Sequence, residues 1–120
     1  MRRMAWTLDA RIPVLFVAEP LRIPEGPPAA LLCLAPPPPL PEEAVAGASF
    51  EGGVAIPHLS GCACCQGRSE AAQALDRLFQ ARARGACPWF ARVVVGAAAA
   101  AEVRRALAED ALSAARFRAW

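Results

Sequence analysis

Cys62, Cys64 and Cys65 fall within four positions, in the run Gly61-Cys62-Ala63-Cys64-Cys65, and His58 stands just upstream. Thiolates are preferred ligands of zinc and of softer ions, so three converging sulfurs suit zinc or a similar divalent metal. On an extended backbone, residues two apart share a face, which groups Cys62 with Cys64. Cys65 needs a turn to join them, and Gly61 and Gly67 lend the chain that freedom. A structural zinc site takes four ligands, and a reactive one keeps three and an open position. His58, Cys87 and Cys33 are the candidates for the fourth, and His58 is counted with the three thiols as the expected ligand set. Taken singly, Cys33 and Cys87 read as small buried hydrophobes, and a histidine that follows a proline is as readily an ordinary turn residue. Redox chemistry at Cys64-Cys65 is the weaker reading. Adjacent cysteines form a strained disulfide, and only Arg68 or His58 stands near enough in sequence to lower a thiol pKa.

An absence is as informative. The chain contains no lysine and no asparagine. A phosphate-binding loop of the usual kind needs its lysine, so that chemistry is excluded before any question of folding. No nucleotide cofactor is expected.

At 120 residues the chain is read as one domain spanning 1–120, with 56% hydrophobic residues, much of that alanine. Alanine buries little surface, so the core must rest on scattered Leu, Val, Ile, Phe and Trp. All basic residues are arginine, a bias that fits a GC-rich bacterial genome. A net charge of +2, with arginines dispersed, speaks against nucleic acid. The apolar run Val93 to Ala101 is bounded by Arg92 and Glu102 and falls short of the ~20 residues that span a bilayer. Asp9 and Arg11 interrupt what would be a signal peptide's apolar core after Arg2-Arg3. The expectation is a cytoplasmic protein with reduced thiols and no membrane partner. Five cysteines, an odd number with three of them clustered, then fit a metal site better than a disulfide framework.

The elements that must position the cysteines follow from periodicity. Arg11 to Ala18 reads as a buried strand, and Ala29 to Leu34 as a second, too short for a helix between prolines. Pro36-Pro37-Pro38-Pro39-Leu40-Pro41 is expected to be extended, without internal hydrogen bonds, and to act as a stiff surface spacer rather than as a ligand for an aromatic-lined groove. Gly52-Gly53 followed by Val54-Ala55-Ile56 predicts a turn and short strand leading into the cysteines. A helix then begins with Ser69 as N-cap and Glu70 at the positive dipole end. It carries Ala71, Leu75, Leu78, Phe79 and Arg82 at helical spacing and stops at Gly85. Trp89 to Gly96 predicts a strand, and Ala97 onward a helix with Val103, Leu107, Ala111 and Leu112 on one side. Strands alternating with helices predict an α/β fold with a small, truncated, mostly parallel sheet.

The run Gly61 to Trp120 resembles the CobW-type metallochaperone GTPases of the P-loop class. In them Gly-Cys-x-Cys-Cys precedes a helix, a Val-Val-Ile-Glu strand and a further helix. Here the order is Gly61-Cys62-Ala63-Cys64-Cys65, then Leu75-Asp76-Arg77-Leu78, then Arg92-Val93-Val94-Val95. Leu107 to Leu112, Ala114 to Arg118 and Ile12-Pro13-Val14 are also similar to the family, whereas Pro24 to Phe50 matches poorly. The resemblance implies a P-loop GTPase-like fold and a metal-handling role.

The departures imply a loss of nucleotide chemistry. The family's Gly-x-x-Gly-x-Gly-Lys-Thr loop falls on Glu19 to Gly26, with Glu19, Arg22 and Pro24 for its glycines and Glu25 for its lysine. Pro24 donates no N–H, and Glu25 repels phosphate. Gly96-Ala97-Ala98-Ala99 replaces the family's Glu-Thr-Thr-Gly, leaving no carboxylate for magnesium. The family's guanine-reading Asn-Lys-x-Asp cannot exist here. The family's next strand and second domain are expected to be missing. The reading is a metal-binding pseudo-GTPase and not an enzyme. The alternative is an interaction module that docks on itself, as a homodimer, or on a complete GTPase, through an unpaired sheet edge and the anchors Trp6, Trp89 and Trp120.

Overall fold

A computed structural model of the chain describes residues 9–18, 21–52 and 68–120. In chain order the elements are β1 (Ile12–Val17), β2 (Ala29–Leu34), β3 (Ala44–Phe50), α1 (Glu70–Arg84), β4 (Arg92–Gly96), α2 (Ala97–Glu109), α3 (Ala111–Arg116) and β5 (Phe117–Ala119). The strands form one five-stranded sheet in the order β3-β2-β4-β1-β5, and every neighbouring pair is parallel. The α/β architecture with a small parallel sheet is therefore as the alternation of strands and helices predicts. No helix among the described residues is long and apolar enough to cross a membrane.

Parallel strands buried on both faces need apolar side chains on both. Alternation along each strand divides them. Ala30, Leu32, Val93 and Val95 join Leu75, Leu78, Val103 and Phe117 in the main core, beneath the helices. Ala29, Leu31, Val94 and Ala44 face the other way, where Val17, Leu21 and Ile23 pack on them. Among the described residues, the second face is covered by non-helical chain and no helix packs on it. Prolines explain this: Pro24, Pro27 and Pro28 precede β2, and Pro36 to Pro39 with Pro41 follow it, and a helix interior tolerates none of them.

The connection from β2 to β3 is correspondingly unusual. Parallel neighbours normally need a dozen or more residues, most often a helix, to return the chain to the starting edge. Here residues 35–43 suffice. A polyproline path rises about 3.1 Å per residue, so nine residues span more than the ~20 Å of a six-residue strand. The proline run is the return arm.

α1 begins and ends as its sequence predicts. Ser69 Oγ accepts from the Ala72 amide at 3.1 Å, and Gly85 takes the left-handed conformation at φ 73°. Ala71, Leu75 and Leu78 are buried, and Arg82 donates to the Phe90 carbonyl at 2.7 Å. The C-terminal helix differs from expectation. It breaks at Asp110 into α2 and α3, and Ala111 and Leu112 lie exposed rather than on a core-facing side. Aspartate competes for backbone donors and so favours caps over helix interiors. The Asp110 carboxylate accepts from both the amide and the hydroxyl of Ser113, each at 2.9 Å. Two strands were not predicted. β3 is built from Ala44-Val45-Ala46-Gly47-Ala48-Ser49-Phe50, weak strand formers held by their pairing with β2. β5 follows the last predicted helix and pairs with β1 at Ile12↔Phe117. The predicted strand at Val54–Ile56 lies outside the described residues.

Candidate functional site

Cys62, Cys64, Cys65 and His58 lie outside the described residues, as does the anchor Trp6. What the structure fixes is the ground on either side of them. Phe50 ends β3 at the carboxyl edge of the sheet, and α1 starts from Arg68 and Ser69 after the cysteines.

Arg68 is the centre of a charge network. Its guanidinium donates to both Asp110 oxygens, at 2.9 and 2.8 Å, and to both oxygens of Asp76. Arg116 pairs with Asp76 at 3.4 Å. The Arg68 hydrogen bonds hold the Asp110 carboxyl well below the usual carboxylate range, with the Ser113 donors adding to the effect. In return Asp110 and Asp76 push the Arg68 pKa up. One arginine thus ties the chain that leaves the cysteines to α1 and to the α2–α3 junction. Its part was missed in the sequence because its partners lie 8 and 42 residues away.

The remaining cysteines occupy opposite ends of the sheet. Cys33 is next to last in β2, in register with Ser49 of β3, so it sits near the carboxyl edge. Its thiol points at the Ala48 carbonyl at 4.0 Å, and burial pushes its pKa up. Cys87 follows the end of α1 and precedes β4, at the amino edge, where it packs on the core. Cys33 shares an edge with Phe50, where the chain leaves β3 toward the cysteine run, and Cys87 does not. Among the described residues no three His, Cys, Asp or Glu side chains come together as a metal site.

In parallel α/β sheets, ligands are held outside the carboxyl ends of the strands. β1 and β4 are neighbours, with Val17 opposite Gly96, so the chain leaving both strands emerges side by side. A cleft of about 380 Å³ opens there, lined by Leu21, Leu34, Pro38, Pro39, Gly96 and Ala99 among others, none of them charged. Gly96 caps α2 without a side-chain hydrogen bond.

From Leu21, which lines this cleft, the chain runs to the amino edge at Pro24. Arg92, the first residue of β4 and only 6% exposed, donates to the Pro24 carbonyl at 2.5 Å and to the Pro27 carbonyl at 2.8 Å. The Ala91 amide donates to Pro28 at 2.8 Å. Pro24 to Pro28 is therefore pinned at the amino edge. Gly26 is required there: its φ is +152°, and a Cβ would stand 3.3 Å from the Arg92 guanidinium carbon. Prolines lack a donor but keep their carbonyls, which is what a buried guanidinium with no carboxylate partner among the described residues needs. Sequence alone gave no sign of this role, because Arg92 reads as the polar boundary of an apolar run.

Compared with protein-family models, with curated proteins and with solved structures, the chain shows no match.

Proposed function

We propose that the chain is a metal-binding pseudo-GTPase that holds zinc or a similar divalent ion through Cys62, Cys64 and Cys65, with His58 as the fourth ligand, and neither binds nor hydrolyses nucleotide. The observation that carries the metal half is the donor set itself. Three thiols in four positions and one imidazole match a Cys₃His zinc site in ligand type and number. The ion would serve storage, transfer or closure of the segment, in a compartment that keeps thiols reduced, and binding would release protons. Chain reconstituted anaerobically with zinc is expected to retain about one ion after gel filtration, by elemental analysis. The triple variant Cys62→Ser, Cys64→Ser, Cys65→Ser is expected to retain none. Fewer than one ion for every few chains would end the proposal.

The nucleotide half is supported by placement as well as by residue type. Among the described residues the cleft at the carboxyl edge has no charged lining, and Pro24, with Glu25 next to it, stands at the other edge. Charge-assisted contacts contribute about 1.5–3 kcal/mol each, so losing the lysine, the amide cradle and the magnesium carboxylate weakens binding by orders of magnitude. Calorimetric titration with GTP and magnesium, with and without zinc, is expected to give no heat of binding. A micromolar, magnesium-dependent dissociation constant would overturn this half.

The second reading, an interaction module, draws on Trp89 and Trp120, which are 60% and 76% exposed. Arg82 stacks on the Trp89 ring, 4.4 Å from its centroid. Light scattering that shows only monomer, with no affinity for a complete GTPase of the resembled class, would count against it.

A further inference from the structure

The proline run, whose sequence alone predicts a stiff spacer rather than a ligand, is shown by the fold to be exposed and tethered at both ends besides closing the β2–β3 connection. We infer that residues 36–43 form a docking ligand for another protein's aromatic-lined, polyproline-reading groove, one that carries a basic residue at the end where Glu42 and Glu43 arrive.

Four observations carry the inference. Every residue from Pro36 to Leu40 is exposed, Leu40 at 51%, although five of the six residues in the run Pro36 to Pro41 are proline and none is charged. Those prolines have no N–H to enter a sheet, and each keeps a carbonyl that can accept from a tryptophan or tyrosine donor. Secondly, the arm is held at both ends. The Ala35 amide donates to the Phe50 carbonyl at 2.8 Å, and the Ala44 amide to the Pro41 carbonyl at 3.0 Å. A proline-rich ligand tied to the fold at both ends loses little freedom on binding, which is why polyproline segments recur as recognition elements. Thirdly, proline rings fall on repeating faces at three residues per turn. Pro36 with Pro39, and Pro38 with the half-buried Pro41, give the two steps that aromatic grooves read; Pro38, Pro39 and Pro41 also border the open cleft at the carboxyl edge. Finally, Glu42 and Glu43 are exposed, and neither has an ion-pair partner among the described residues. A polyproline helix reads alike in both directions, so a carboxylate pair at one end is what selects the orientation, through a complementary cation on the partner.

The experiment uses the full chain against purified WW-type and SH3-type domains, with the groove tryptophan's fluorescence as readout. At least one domain with a basic residue at its groove end is expected to saturate at tens to hundreds of micromolar chain. Pro38→Ala with Pro39→Ala is expected to weaken that binding at least tenfold, and Glu42→Arg with Glu43→Arg at least threefold. The same substitutions are made in a free peptide covering 35–44, so that a folding defect cannot imitate a lost contact. Absence of binding by every domain up to millimolar chain would overturn the inference. So would binding by the peptide but not by the folded chain, or binding that survives the double proline substitution.

Discussion

Asp110 shows how much one side chain can be asked to do. It ends α2, caps α3 through Ser113 and receives two hydrogen bonds from Arg68. Its folded pKa is depressed, so its stabilising effect is present above the unfolded carboxylate pKa of about 3.9 and is lost as pH falls through the folded value. Asp110→Asn keeps the shape and the capping oxygen but removes the charge. It is expected to cost roughly 1–2 kcal/mol at pH 7, a hydrogen bond to a charged group discounted for partial exposure. In urea titrations the gap between wild type and variant should stay constant from pH 5 to 8 and narrow below pH 4. A gap that widens in acid would contradict the assignment. The same network bears on the cysteines only by tethering: Arg68 fixes the chain directly after them.

At the scale of elements, α1 is the most legible. Its cap, dipole charge, apolar spacing and terminator all point to one helix, and each is found where the residues place it. Gly85 allows a clean check, because nothing lies within 4 Å of a Cβ added there. The cost of Gly85→Ala is then the left-handed backbone alone, about 1 kcal/mol, and Gly85→Asn should recover part of it. Thermal melts would read both; an Ala variant as stable as wild type would mean the helix end had rearranged. β3 was not legible, since Ala44 to Phe50 has neither alternation nor β-branched residues beyond Val45, and its strand form comes from β2 beside it. β5 was missed for its length of three residues. The metal ligands were legible as chemistry from spacing alone, whereas Arg68 and Arg92 act through partners far away in sequence, which no local pattern announces.

For the whole molecule, the two faces of the sheet set the balance of stability. The helical face holds most of the large buried side chains, and Phe117 is one of them, 1% exposed with its ring edge-on to Phe79 at 6.3 Å. Phe117→Ala is expected to cost about 3–5 kcal/mol. Against a total of roughly 5–15 kcal/mol for a domain, that leaves a marginal fold, seen as a large fall in the urea midpoint. A midpoint barely moved would mean that β5 is not part of the cooperative unit. The strand order has a further consequence, for synthesis. β1 sits between β4 and β5, with Val14 opposite Val93 and Ile12 opposite Phe117. On the ribosome, therefore, the apolar strand made early has neither of its neighbours until the second half of the chain has emerged. Its hydrogen-bonding groups stay unpaired until then, and slow translation before Arg92 would lengthen that interval.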